Sequence, residues 1–171
     1  MTRVLVPTAV VLAVLLLASG IGRATVPQRG SEDAGSARAV AELTGPQRSV
    51  VGVPAGFAYR PVVVGGKLLD PQGSCSSPID LPEAFEDACR AHDLGYDLLR
   101  HAAAQGGPLG PWARRAVDEQ LARDLSAACA GEGLRCHLLA GLADAAVAAN
   151  SWRQGWSVPV VEHGPFVREE P

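Results

Sequence analysis

The chain is poor in aromatic residues, 5% of 171, and in charged residues, 19%. With so few rings, a core has to be built from Leu, Val and Ala. Too little charge is present for a chain-wide disordered polyelectrolyte. Basic residues are not in excess: the net charge is −3, and lysine occurs once, at Lys67. A general nucleic-acid binder needs a basic face, and this balance offers none. There is no internal repeat and no long low-complexity tract. The length excludes a second full domain, since domains typically run to ~100–150 residues.

What is present begins with an export signal. Met1 to Arg3 is short and positive, Val4 to Ile21 is an almost unbroken apolar run, and Gly22-Arg23-Ala24 is a small-x-small site. This order is that of a secretory leader. Residues 1–24 are therefore expected to be a signal peptide, or a signal anchor if uncleaved, because the run is long enough to span a bilayer. Either way the remainder lies outside the cytoplasm, secreted or held on the outer membrane face. The four cysteines, Cys75, Cys89, Cys129 and Cys136, are then expected to form two disulfides. Three pairings exist, and order along the chain favours Cys75–Cys89 with Cys129–Cys136. No C-x-x-C pair suggests zinc.

Residues 25–50 are polar, with Gly, Ser and Pro, and read as a linker or loosely ordered arm. Within them a short helix fits Ala37–Leu43, with Ser36 as N-cap. A small β-hairpin is expected within 58–69, turning at Gly65-Gly66. Residues 70–82 form a loop around Cys75. Three helices follow, at about 82–104, 111–130 and 134–152. The first carries acids early and Arg100 and His101 late, as the helix dipole favours. Residues 51–153 are the expected domain, and 154–171 a tail, either strand or irregular. The fold class is mainly α: an antiparallel, disulfide-linked helix pair, a third helix and the hairpin. The three tryptophans, Trp112, Trp152 and Trp156, are expected to pack in a core or interface.

The chemistry concentrates on the first long helix. Cys89, His92 and Tyr96 lie three and four residues apart, so they share one face with apolar Phe85, Ala88 and Leu99. Asp93 sits ~100° further round, at the rim. On the second helix, Val117, Leu121 and Leu125 mark an apolar stripe with Asp118 beside it. A carboxylate pointing inward needs a partner, and an imidazole from the facing helix supplies one. Asp124 is the other acid on that helix that could turn inward. A His92–Asp118 pair would fix the imidazole tautomer and support the charge that develops in general-base catalysis. His101, His137 and His163 receive no role.

Ala88-Cys89-Arg90-Ala91-His92-Asp93-Leu94-Gly95-Tyr96 resembles the ACxxHDxGY pattern of the secreted phospholipase A2 superfamily, in its small prokaryotic and fungal branch. The stretch from Val117 to Leu125, followed by Cys129, is similar to that branch's second core helix. The resemblance covers residues from about 73 to 136. It implies that His92 is the general base, Asp118 the carboxylate orienting it, Asp93 a calcium ligand and Tyr96 a supporting residue. It implies a Ca2+-dependent hydrolysis of the sn-2 ester of a phospholipid substrate at a membrane surface, by a monomer. In the prokaryotic branch a second calcium carboxylate stands two residues before the first cysteine; here Gly73 stands there, in Gln72-Gly73-Ser74-Cys75. Gly73 and Ser74 would then contribute from the loop, and Asp70 could substitute, although a turn role suits it better. Losing a carboxylate weakens calcium binding. The alternative is a weak or inactive exported scaffold acting at the cell envelope or on lipid.

Overall fold

The computed structural model describes residues 31–46 and 52–160. Four helices and one antiparallel hairpin occur among them: α1 (Ala34–Thr44), β1 (Val62–Val64), β2 (Lys67–Leu69), α2 (Glu86–Ala104), α3 (Pro111–Ala128) and α4 (Leu134–Arg153). A 3-10 turn, Glu83–Phe85, leads into α2. The first long helix thus starts as a tighter turn where an α-helix is expected from Pro82. The leader at 1–24 lies outside the described residues. Among the described residues no helix is long and apolar enough to cross a membrane.

The segment expected as a loose arm is corrected over 34–44. Ala39, Val40 and Leu43 recur at helical spacing and are buried against α2 and α3. The cap is also corrected: Asp33 Oδ1 accepts the Ser36 N–H at 2.7 Å, so Asp33 is the N-cap and Ser36 lies inside the first turn. The backbone just before α1 is tied down as well. Asp33 N donates to Gly107 O at 2.8 Å, and Glu32 Oε1 accepts from Gly110 N and Trp112 Nε1.

The hairpin pairs Val62 with Leu69 and Val64 with Lys67. Gly65 and Gly66 have φ of 55° and 78°, the left-handed values that a two-residue hairpin turn requires. β2 packs on α2 through fully buried Leu69. α2 and α3 run side by side, joined by a short connection, and α4 packs on α3. Leu94, Leu98, Leu99 and Val117 fill the centre of one cluster with α1; Phe85, Leu121, Leu125 and Ala140 fill the other with α4.

Both favoured disulfides are formed. Cys75–Cys89 ties the loop before α2 to that helix, and Cys129–Cys136 closes the α3–α4 corner. The tail is irregular over 154–160, but it belongs to the packed body: Arg100 Nε donates to Pro159 O and an Arg114 guanidinium nitrogen to Ser157 O. One expectation for the tryptophans is corrected. Trp152 is 75% exposed, beside Leu134, Leu138 and Leu142, which are also exposed. α4 is apolar on the face that meets α3 and on the opposite one, so its composition did not reveal which side would be covered.

Candidate functional site

Gly95 lets α2 and α3 approach closely. A Cβ on residue 95 would stand 2.6 Å from Val117 Cγ1, well inside contact distance. One turn before Gly95 on α2 is His92, and next to Val117 on α3 is Asp118. The two side chains meet across the seam: His92 Nε2 lies 3.0 Å from Asp118 Oδ1, with the imidazole side chain 10% exposed and the carboxylate 7%.

Asp118 has more than one donor. Tyr96 Oη donates to Oδ1 at 2.9 Å, and Ser151 Oγ, from α4, donates to Oδ2 at 2.6 Å. Surrounded by donors, the Asp118 carboxylate accepts on both oxygens, so His92 presents Nε2–H to it and Nδ1 is left with its lone pair. The Tyr96 ring stacks at a tilt against the imidazole, centroids 4.1 Å apart. Burial chiefly, with the Asp118 charge adding, pushes the Tyr96 hydroxyl up to about 12 from an ordinary 10.0. Tyr96 therefore stays a donor throughout the neutral range.

Ser151 and Arg114 are absent from the sequence-based list. Both are fully buried. Arg114 Nε donates to Ser151 Oγ at 2.8 Å, and a second guanidinium nitrogen donates to Gln154 Oε1 and Ser157 O. Arg114 had a readable signal: it is four residues before Asp118, hence on the same inward face. Ser151, in an Ala-rich helix far along the chain, had none.

Asp124 is buried too, at 4% exposure, but it accepts from Lys67 Nζ at 3.2 Å, on the hairpin side. Two acids of α3 therefore turn inward, and Asp118 is the one bonded to His92.

The residues singled out for calcium come together in part. Ser74 N donates to Asp93 Oδ2 at 3.0 Å, which lays the loop against the carboxylate. Gly73 is at the contact: a Cβ there would lie 2.8 Å from Asp93 Oδ2 and 3.1 Å from Asp70 Cβ. A larger residue at 73 would displace the loop or fill the space beside the carboxylate. Asp70 is buried and acts as a turn residue, its Oδ1 accepting from Gln72 N at 2.8 Å. Arg90 Nε donates to Asp70 O, and Asp70 N to Arg90 O, which fastens the loop to α2. Burial holds the Asp93 carboxyl above its usual range. Ser74 N–H and His92 oppose this, and the nearby charges of Asp70 and Asp97 add to it. Among the described residues no three His, Cys, Asp or Glu side chains converge as metal ligands. A cation at Asp93 would thus draw its remaining oxygens from main-chain carbonyls and water. One carboxylate with hard carbonyl oxygens is a donor set that calcium accepts.

Beside His92 is a cavity of about 10 Å³, lined by Leu43 and Thr44 of α1, Ala88 and Ala91 of α2, and Val117 and Leu121 of α3, among others. That is room for roughly one water molecule. A wider groove of about 440 Å³ lies elsewhere, between Leu81-Pro82 and the start of α4 near Arg135 and Leu139. His92 does not line it, so its size has no bearing on the imidazole. Comparison with protein-family models, with curated proteins and with solved structures finds no match for the chain.

Proposed function

We propose that this chain is an exported hydrolase of the secreted phospholipase A2 superfamily, cleaving the sn-2 ester of glycerophospholipids with calcium. The observation that carries the reading is the 3.0 Å contact between His92 Nε2 and Asp118 Oδ1 within the string Ala88–Tyr96. It leaves Nδ1 as a base of fixed orientation. That nitrogen takes a proton from water, and the water oxygen bonds to the sn-2 carbonyl carbon. The ester C–O bond then breaks, and the proton passes from His92 to the leaving oxygen of the lysophospholipid. Asp118 stabilises the imidazolium in between. Tyr96 holds Asp118 from the same side as His92.

Asp93 and the main chain around Gly73 and Ser74 are the groups that would hold calcium, and Asp70 shapes that loop. When bound, calcium supplies Lewis-acid charge for the carbonyl oxygen. The support for a cation there is the position of Asp93 against the Gly73–Ser74 loop, where Ser74 N donates to its Oδ2.

A second reading is a weak or inactive scaffold of the same superfamily that binds lipid or acts at the cell envelope. The cavity beside His92, with room for one water and none for an acyl chain, favours it.

The test is release of fatty acid from phospholipid vesicles by the chain lacking residues 1–24, with calcium and with a chelator. The hydrolase reading expects calcium-dependent release that His92→Gln abolishes while the helical content stays unchanged. Release that persists in His92→Gln rejects the assignment of the base. No release from the unsubstituted chain favours the scaffold.

A further inference from the structure

We propose that Arg114 and Ser151 are positioning residues for the His92–Asp118 pair: the buried guanidinium turns the Ser151 hydroxyl so that its one proton goes to Asp118, and the carboxylate so held keeps His92 in the Nε2–H tautomer. This deepens the hydrolase reading and rests on it only for its kinetic readout.

The direction of each bond follows from donor chemistry. A guanidinium has donors and no acceptor. Arg114 Nε–H, 2.8 Å from Ser151 Oγ, therefore occupies a lone pair of that oxygen. The hydroxyl proton must leave elsewhere. Two acceptors are in reach: Asp118 Oδ2 at 2.6 Å and Tyr96 Oη at 3.2 Å. The carboxylate is nearer and charged, and it takes the proton. With Oδ2 held in this way, Asp118 cannot rotate about its carboxylate axis, and Oδ1 stays aimed at His92 and Tyr96.

The guanidinium is held at a second nitrogen too, while its Nη2 is buried without a hydrogen-bond partner among the described residues. Its second nitrogen bonds Gln154 Oε1 and Ser157 O, both 2.9 Å away in the turn that follows α4. That turn closes on Ser151, whose carbonyl accepts from Trp156 N at 2.8 Å. Trp156 takes the left-handed φ of 56° to make the closure. The Arg114 guanidinium carbon also lies 5.0 Å from the Tyr96 ring centre. Arg114, Ser151 and the turn are one unit, clamped behind Asp118.

Tying the turn after α4 to α3 uses one guanidinium nitrogen, and Nε is directed instead at Ser151. Arg114 is fully buried, and among the described residues no carboxylate stands within ion-pair distance of it. An apolar side chain of similar volume would fill the site without the cost of a buried charge. Through Ser151, Arg114 is linked to the Asp118 carboxylate. The relay fixes the orientation of the Asp118 carboxylate, which tethering of the turn alone does not require.

The test compares the chain lacking residues 1–24 with Ser151→Ala and Arg114→Met, each checked for native helicity by circular dichroism. In 15N-labelled, calcium-free protein, His92 of the unsubstituted chain is expected as the Nε2–H tautomer. Both variants are expected to show mixed tautomers. With vesicle substrate and calcium, kcat is expected to fall about 10- to 100-fold while KM changes less than about twofold, the effect of losing a hydrogen bond to a charged group. If Ser151→Ala does not fold, Ser151→Cys carries the same readouts, since it keeps the volume and weakens the donor. Folded variants with the original tautomer and an unchanged kcat overturn the proposal. If the unsubstituted chain proves inactive, the hydrolase reading fails, and the tautomer comparison alone decides the positioning role.

Discussion

Gly95 and Val117 face each other across the α2–α3 seam: there is no room at residue 95 for a Cβ, which would stand 2.6 Å from Val117 Cγ1 and 2.9 Å from Cγ2. The approach brings the neighbouring positions, His92 and Asp118, within hydrogen-bond range. Gly95→Ala is expected to force the helices apart, at a cost of about 1–3 kcal/mol for overpacking. It should also lengthen the His92–Asp118 contact and lower any hydrolysis. Val117→Ala in the same chain should restore part of both. Urea unfolding of the single and double variants measures the first effect, and vesicle hydrolysis the second. Equal stability of Gly95→Ala and the unsubstituted chain would show that the seam can relax freely.

Tyr96 predicts how stability responds to alkali. Its hydroxyl is pushed up to about 12 in the folded protein, against 10.0 for an ordinary tyrosine. Between those values the unfolded chain loses the proton and the folded chain keeps it. The folded state then binds more protons, so stability is fully present below pH 10 and falls as pH rises toward 12. The loss reaches about 2–3 kcal/mol for a shift of this size. Tyr59 adds to it in the same direction, because burial and its bond to Asp97 raise it further. Tyr96→Phe should start less stable at pH 8 and show a shallower decline between pH 9 and 11. Parallel curves for the two proteins would exclude the shift.

Asp93→Asn separates the calcium role from the fold. The asparagine can still accept the Ser74 N–H that now bonds Asp93 Oδ2. Calcium affinity is expected to fall at least about tenfold, because affinity follows ligand charge. The calcium-free protein should be no less stable than before, since burial already disfavours the charge. Calorimetric titration and calcium-free melting read the two effects. An unchanged titration would remove Asp93 from the ligand set.

The disulfides should differ in weight. Cys75 and Cys89 are separated by 14 positions, Cys129 and Cys136 by 7. On loop closure alone, replacing the first pair with serine costs about 3 kcal/mol and the second about 2.5. The first substitution should also loosen the loop at Asp93, visible as faster amide exchange at Ser74. The second should leave that amide unchanged. The reverse pattern would mean that the Asp70–Arg90 bonds hold the loop without the disulfide.

The local features were legible because they depend on neighbours in the chain. The spacing of Cys89, His92 and Tyr96 put them on one helical face, Gly65-Gly66 marked the hairpin turn, and Gly106, Pro111 and Gly131 punctuated the helices. The α-helix begins about one turn later than Pro82 suggests, because Pro82 and early acids suit a 3-10 entry as well as an α-helical one. The burial of α1 is not legible in the sequence, because a short, Ala-rich amphipathic stretch among polar residues has too little apolar surface to declare that it will be buried.

By itself, then, the sequence determined a mainly helical chain, two cystines between near neighbours, and an inward histidine and acid on successive helices. These follow from periodicity, turn chemistry and the cost of burying charge. Only the tertiary structure decided that the end of α1 lines the cavity beside the imidazole, that Asp118 rather than Asp124 meets it, and that Ser151 and Arg114 stand behind the carboxylate. Those residues are 26, 33 and 37 positions from their partners. No periodic pattern links such distant positions; helix packing brings them together, through a close approach at one glycine.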